Sequence, residues 1–176
     1  MIKKKTKFIS ILIITALIFA FLFVGLNNKN FYSIENITVK KIVNFESKEF
    51  FSDKISNFEN FTKEKKFTIL NIWASWCGPC RAEHDILLKL NENQNSLVIG
   101  INYKDSYDNA KSFLNELGNP YDVIFVDNDG LISIEIGAYG VPETYIINNS
   151  SNQVMKKYLG PLNKSKFEEI QSLIKS

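Results

Sequence analysis

The 176-residue chain has only two cysteines and one histidine. A structural zinc site takes four ligands, usually a second Cys-x-x-Cys or a histidine pair beside the first, and His84 alone cannot complete one. Covalent haem attachment takes a histidine directly after the second cysteine, and Arg81 holds that place. No metal and no cofactor are therefore expected. Charge of one sign is scarce too: 21 basic against 19 acidic residues leave a formal +2, much of it in the first seven residues. Without those residues no basic field remains, and nucleic acid is not expected as a partner. Internal repeats are absent. Apolar side chains, in contrast, make up 45% of the chain and aromatics 13%, enough for one packed domain plus an appendage and too much for intrinsic disorder.

The appendage is N-terminal. MIKKKTK, residues 1–7, precedes FISILIITALIFAFLFVGL, which runs from Phe8 to Leu26 without a charged side chain, about the length a helix needs to cross a bilayer. Lys3, Lys4, Lys5 and Lys7 stand before it and only scattered lysines follow, a bias that keeps residues 1–7 in the cytoplasm and exports the rest. A cleaved signal peptide would be shorter and end in small residues at alternate positions, whereas this segment ends FLFVGLNN. The expectation is one uncleaved transmembrane signal anchor, residues 8–26, in a bacterial inner membrane. A polar, asparagine-rich tether spans 27–36, and residues 37–176 form a periplasmic domain. In such an oxidising space two cysteines are ordinarily read as a disulfide.

Within that domain, ITVKKIV and SKEFF suggest short opening strands. FTILNIWA, residues 67–74, is a near-continuous apolar run of the kind found in a central strand buried on both faces. A helix is predicted from Pro79 to about Asn91, with Ile86, Leu87 and Leu90 on its apolar side. LVIGINY then reads as a strand, SYDNAKSFLNELG as a helix closed by Gly118, and DVIFV as a strand. LISIEIG fits either a short helix or a strand. ETYIIN and QVMKKYLG form a hairpin across NNSSN, and NKSKFEEIQSLIK is an amphipathic last helix with Asn163 as its N-cap. The alternation gives an α/β domain, a mixed central sheet flanked by helices.

Both cysteines fall in NIWASWCGPCRAEH, residues 71–84, between the central strand and the helix. At a helix start the free N–H groups and the dipole favour a thiolate on the first sulfur, while the second cysteine lies a turn deeper. Cys77 is thus the attacking thiol and Cys80 the resolving one. Pro79 suits the first helical turn, Gly78 allows a partner chain to approach, and Arg81 adds a positive charge. An inert disulfide closing so small a loop would constrain the unfolded chain little, which leaves dithiol redox chemistry as the reading of the pair.

Trp73, Trp76 and WCGPC resemble the active-site segment of the thioredoxin fold. The run WASWCGPCRAEH with GINYKD, ELGNPY, DNDG and YGVPETY resembles more closely the CcmG/DsbE family, the membrane-anchored thiol:disulfide interchange proteins of cytochrome c biogenesis. The resemblance covers about Phe67 to the C-terminus and implies a thioredoxin-like domain. It implies a cis Val141-Pro142 bond facing the dithiol, with the Val141 backbone free to pair with an extended partner; by itself the proline fits an ordinary turn. Thioredoxins carry a buried aspartate where this chain has Asn71, an amide that cannot titrate. Cys80, Glu83, Leu87 and Leu90 share a helix stripe, so Glu83 is either a buried base of raised pKa or a carboxylate placed for the helix dipole. The family's acid at the same offset favours the base. Tyr139 and Glu143 match the family's acidic, substrate-facing groove; Glu143 on its own fits a solvated strand residue. Trp76 is read as shielding the dithiol, Trp73 as core, and His84 receives no role.

The resemblance implies a periplasmic reductant that keeps the cysteines of apocytochrome c, or of its thiol chaperone, reduced for haem attachment. A membrane thiol reductant would be its electron donor. Two alternatives stand: a general periplasmic reductase or oxidase, and an apocytochrome-binding module with a secondary dithiol.

Overall fold

The computed structural model describes residues 2–27, 41–52 and 54–175. The chain divides into two units, residues 1–37 and 38–176. In the first, Ile2–Asn27 form one helix, α1. Its described side chains, those of Lys7 and of residues 11–23, do not amount to a membrane span, and among the described residues no helix is long and apolar enough to cross a membrane. The expected tether, from residue 28 on, lies outside the described residues.

The second unit is built on a five-stranded mixed sheet in the order β5-β4-β3-β6-β7. Its strands are β3 (Phe67–Trp73), β4 (Ser96–Tyr103), β5 (Val123–Asp127), β6 (Glu143–Asn148) and β7 (Gln153–Leu159). β3, β4 and β5 run parallel, with β6 antiparallel to β3 and β7 antiparallel to β6. All seven residues of β3 are buried, as the apolar run FTILNIW requires of a central strand with both faces covered. Because side chains alternate, Ile69, Asn71 and Trp73 face one way and Leu70 and Ile72 the other. The first face packs on α3 (Gly78–Asn91), α4 (Tyr107–Leu117) and α6 (Lys164–Lys175) through Leu87, Leu90, Phe113, Ile170 and Ile174. The second packs on α2 (Phe58–Thr62) and the segment after α5 (Leu131–Glu135) through Phe58 and Ile136, with Phe45 stacked on Phe58 at 5.0 Å.

Helix ends follow the polar residues that can cap them. Ser106 accepts from the Asn109 amide to start α4, and the Asn163 side chain accepts from the Lys166 amide at 3.0 Å to start α6. LISIEIG resolves to the helix α5. The opening strands come out shorter than the sequence suggests. Residues 37–40 of ITVKKIV lie outside the described residues, and Lys41 makes a single bridge to Gln153. In SKEFF the strand β1 (Glu46–Lys48) stops before the phenylalanines, since the Phe50 amide donates to the Ile124 carbonyl at 2.8 Å and the segment turns along the β5 edge. β1 pairs with β2 (Ile55–Asn57), a strand that the sequence did not suggest.

Candidate active site

The site forms where β3 hands over to α3. Cys77, extended at φ −89° and ψ 106°, is the N-cap of α3, and its Sγ accepts from the Cys80 amide at 3.1 Å. Donors of this kind at a helix start stabilise a thiolate. Cys80 lies one turn in, and both sulfurs are buried and joined as a disulfide with Cα atoms 5.3 Å apart. Arg81 turns from the sulfurs to a bidentate pair with Glu116, at 2.6 and 3.2 Å, and its guanidinium lies over the Phe113 ring.

The register of the sheet brings in the second segment. Glu143 is paired with Ile72, so Val141 and Pro142 come alongside the end of β3 that enters the cysteine turn. The Val141-Pro142 bond is cis, and Val141 is half-buried and packs on the cluster that includes both cysteines. Tyr139 is exposed.

Behind Cys80 the stripe read from the sequence is present: Cys80, Glu83, Leu87 and Leu90 are all buried. Glu83 Oε1 accepts from Asn71 Nδ2 at 2.8 Å and Oε2 from the Leu162 amide at 2.7 Å. Loss of hydration pushes its pKa from 4.5 up to about 7; the Leu162 and Asn71 hydrogen bonds and the Lys166 charge pull the other way without cancelling it. A carboxylate inside the protein thus changes charge near neutrality. The orientation of the Asn71 amide is fixed from behind by Tyr121, whose hydroxyl donates to Oδ1 at 2.8 Å, and by Thr144 Oγ1, which accepts from Nδ2 at 3.0 Å. Burial holds the Tyr121 hydroxyl well above its ordinary pKa, so it stays a donor. Tyr121 in turn stacks on Trp73 at 5.4 Å above Gly100, where a Cβ would come within 2.8 Å of Trp73 Nε1. Close approach of the backbone to these rings explains that glycine.

Three expectations are sharpened or corrected. Trp76 is exposed, and its Nε1 donates to the Lys104 carbonyl at 3.0 Å, which fixes the ring beside the cysteine turn. Glu143 does not project into a groove: it is buried, with Oε1 accepting from the Tyr139 and Gly140 amides at 2.7 and 3.1 Å and Oε2 in a 2.9 Å ion pair with Lys157. The alternation of β6 directs its carboxylate inward, where two amides and a cation offset the cost of burying it. His84 is structural, donating from Nε2 to the Gly118 carbonyl at 2.9 Å and standing edge-on to Phe113, and burial lowers its pKa. The sequence reading missed Asp105, which holds the turn before Cys77 by accepting from the Ser75 amide and hydroxyl at 2.5 and 2.7 Å. It also missed Tyr121 and Lys157. Asp105 and Tyr121 lay within the quoted runs GINYKD and ELGNPY, but only the folded chain brings them to the cysteine turn.

The redoxin family model matches residues 40–174. The thiol:disulfide interchange protein CycY of Rhizobium leguminosarum bv. viciae is 45% identical over 96 residues, 54% of this chain and 51% of its own, so the match spans about half of that relative. The Pasteurella multocida protein named DsbE-2 is 30% identical over 169 residues, 96% of this chain and 88% of its own. Among solved structures, a DsbF homologue from Corynebacterium diphtheriae superposes with a TM-score of 0.64 at 23% identity, covering 76% of this chain and 85% of that one, a likeness of fold. A thioredoxin-like sheet, a capped Cys-Gly-Pro-Cys pair beside a cis proline and these relatives agree: the chain belongs to the redoxin family and, within it, to the CcmG/DsbE thiol:disulfide interchange proteins.

Proposed function

We propose that this protein is a membrane-anchored thiol:disulfide oxidoreductase that works as a reductant in the periplasm. Its substrate is the disulfide of an apocytochrome c Cys-x-x-Cys-His segment, or of the thiol chaperone that handles it. The observation that carries the reading is the Cys77–Cys80 pair at the start of α3, backed by a buried carboxyl that ionises near neutrality.

In the reduced state Cys77, favoured as thiolate by the helix start, attacks one sulfur of the partner disulfide. A Cys77–partner bond forms, and the partner's other sulfur leaves as a thiolate and takes up a proton. Cys80 then gives its proton to Glu83 and attacks Cys77, which releases the second partner sulfur as a thiolate that takes up a proton, and leaves Cys77–Cys80 oxidised. Two electrons have passed to the partner, and a membrane thiol reductant must supply two more for the next cycle. Val141, beside the cis proline, offers its backbone to an extended partner segment as an added strand would. The anchor is supported by the uncharged run Phe8–Leu26 behind four lysines and by the exposed apolar side chains from Ile11 to Phe23 in α1.

A reductant must lie well below a disulfide-forming oxidant in potential. Equilibrated against thiol buffers, the Cys77–Cys80 couple is expected to sit well below the value of about −120 mV typical of a strong periplasmic oxidant. A value at that oxidising end would instead make the protein a disulfide donor.

A further inference from the structure

Lys157 lies on β7, yet three of its contacts converge on the segment before the cis proline or on the carboxylate that holds it. Its Nζ pairs with Glu143 Oε2 at 2.9 Å and donates to the Gly137 carbonyl at 2.8 Å. The same ammonium lies over the Tyr139 ring at 4.3 Å and the Tyr145 ring at 5.0 Å. Glu143 completes the arrangement by accepting from the Tyr139 and Gly140 amides, and from the Tyr145 hydroxyl at 3.3 Å. One peptide carbonyl, two peptide amides and one exposed ring of residues 137–140 are therefore fixed by a single ion pair. Both side chains are largely withdrawn from water, at 13% and 4% exposure, where such a pair is strongly directional and removal of one partner is costly.

The pair exists because of an irregularity in the hairpin. Counting back from Asn148↔Gln153 in a regular ladder, Lys157 would sit opposite Thr144, on the face away from Glu143. A bulge at Ile146/Ile147 inserts one residue in β7, so Lys157 falls opposite Tyr145, diagonal to Glu143 and on its face.

We infer that Lys157 is a positioning residue, which acts through Glu143 and the 137–140 segment to hold the Val141 backbone and the Tyr139 ring in place for a polypeptide disulfide. Resting on the thiol-exchange reading, the inference adds a specificity element to it. A small aromatic disulfide needs Cys77 alone, whereas an extended peptide needs Cys77 and the Val141 backbone in fixed relation, and displacement of an aligning group costs rate steeply.

The test uses the full chain and three proteins: wild type, Lys157→Met, which keeps the apolar stem without the charge, and Lys157→Arg, which restores the charge. Hydrogen exchange of the Tyr139 and Gly140 amides in the oxidised protein reads the anchoring without any substrate. Reduction of a synthetic peptide bearing an oxidised Cys-x-x-Cys-His segment, against reduction of 5,5′-dithiobis(2-nitrobenzoate), reads its consequence. In Lys157→Met the two amides should lose protection, and the rate on the peptide should fall about tenfold, through KM, with the small disulfide within twofold of wild type. Lys157→Arg should restore both. Unchanged amide protection in Lys157→Met, or equal losses on both substrates, would overturn the inference. Wild-type protein inert to both disulfides would defeat the thiol-exchange reading instead, and amide protection would still decide the anchoring.

Discussion

Cys80→Ala, reduced and mixed with an oxidised Cys-x-x-Cys-His peptide, is expected to stop after one attack. The peptide should remain bonded to Cys77 in a complex that dithiothreitol releases, and multiple turnover should fall roughly a thousandfold or more, as when a covalent catalyst loses a group that completes its cycle. The physical reason is the arrangement at the start of α3. Cys77 caps the helix, and its sulfur receives the Cys80 amide, which favours charge there. Cys80, one turn further in, is aligned for intramolecular attack on Cys77, and no other thiol of the chain can take its place, since the sequence holds two cysteines in all. Cys77→Ala should give no adduct, because the remaining thiol is the inner one. An adduct of equal yield on Cys80 would reverse the assigned order.

Glu83→Gln is the second large effect, and it has a signature in pH. The unfolded carboxyl ionises near 4.5 and the folded one near 7, so the folded state holds its proton over that interval while the unfolded state has lost it. Stability from this group is full below about pH 4.5 and is lost as pH rises through 7, by roughly 3 kcal/mol for a shift of this size. Urea denaturation of the oxidised protein between pH 4 and 8 should show that decline in wild type and its loss in Glu83→Gln. The amide also sets a donor against Asn71 Nδ2 or the Leu162 amide, a penalty that is the same at every pH, so the slope rather than the absolute stability is diagnostic. In the proposed mechanism the ionised carboxylate takes the Cys80 proton, so resolution of the mixed disulfide should accelerate through pH 7. Glu83→Gln should flatten that rise and slow resolution at pH 7.5 by at least about tenfold. Identical pH profiles would leave Glu83 as a buried helix residue without a role in proton transfer.

Much of this arrangement was legible before folding because it depends on local spacing. The apolar run FTILNIW, the proline one place into α3 and the three- and four-residue steps from Cys80 to Glu83, Leu87 and Leu90 each follow from one element's periodicity. What escaped the sequence depends on how elements meet. Tyr121 reaches Asn71 from the segment between α4 and β5, and Asp105 reaches Ser75 from the end of β4. The resemblance places Glu143 in a substrate-facing groove, and by itself a glutamate in a strand fits the solvated surface. The alternation of β6 turns it inward, and a bulge, which no residue in QVMKKYLG announces, puts Lys157 on the same face to pair with it. The opening strands were overread for a related reason, since Phe50 and its amide are claimed by β5 rather than by a ladder of their own.

The central claim is that these two thiols serve the cysteines of a haem-attachment segment. Its most direct test is to express Cys80→Ala in the host cells, trap thiols with acid and alkylation, and identify the peptide linked to Cys77 by mass spectrometry. The account predicts a Cys-x-x-Cys-His segment of apocytochrome c, or a cysteine of its thiol chaperone, bonded to Cys77. A Cys77 recovered free, or joined to periplasmic proteins that neither carry such a segment nor handle one, would contradict it.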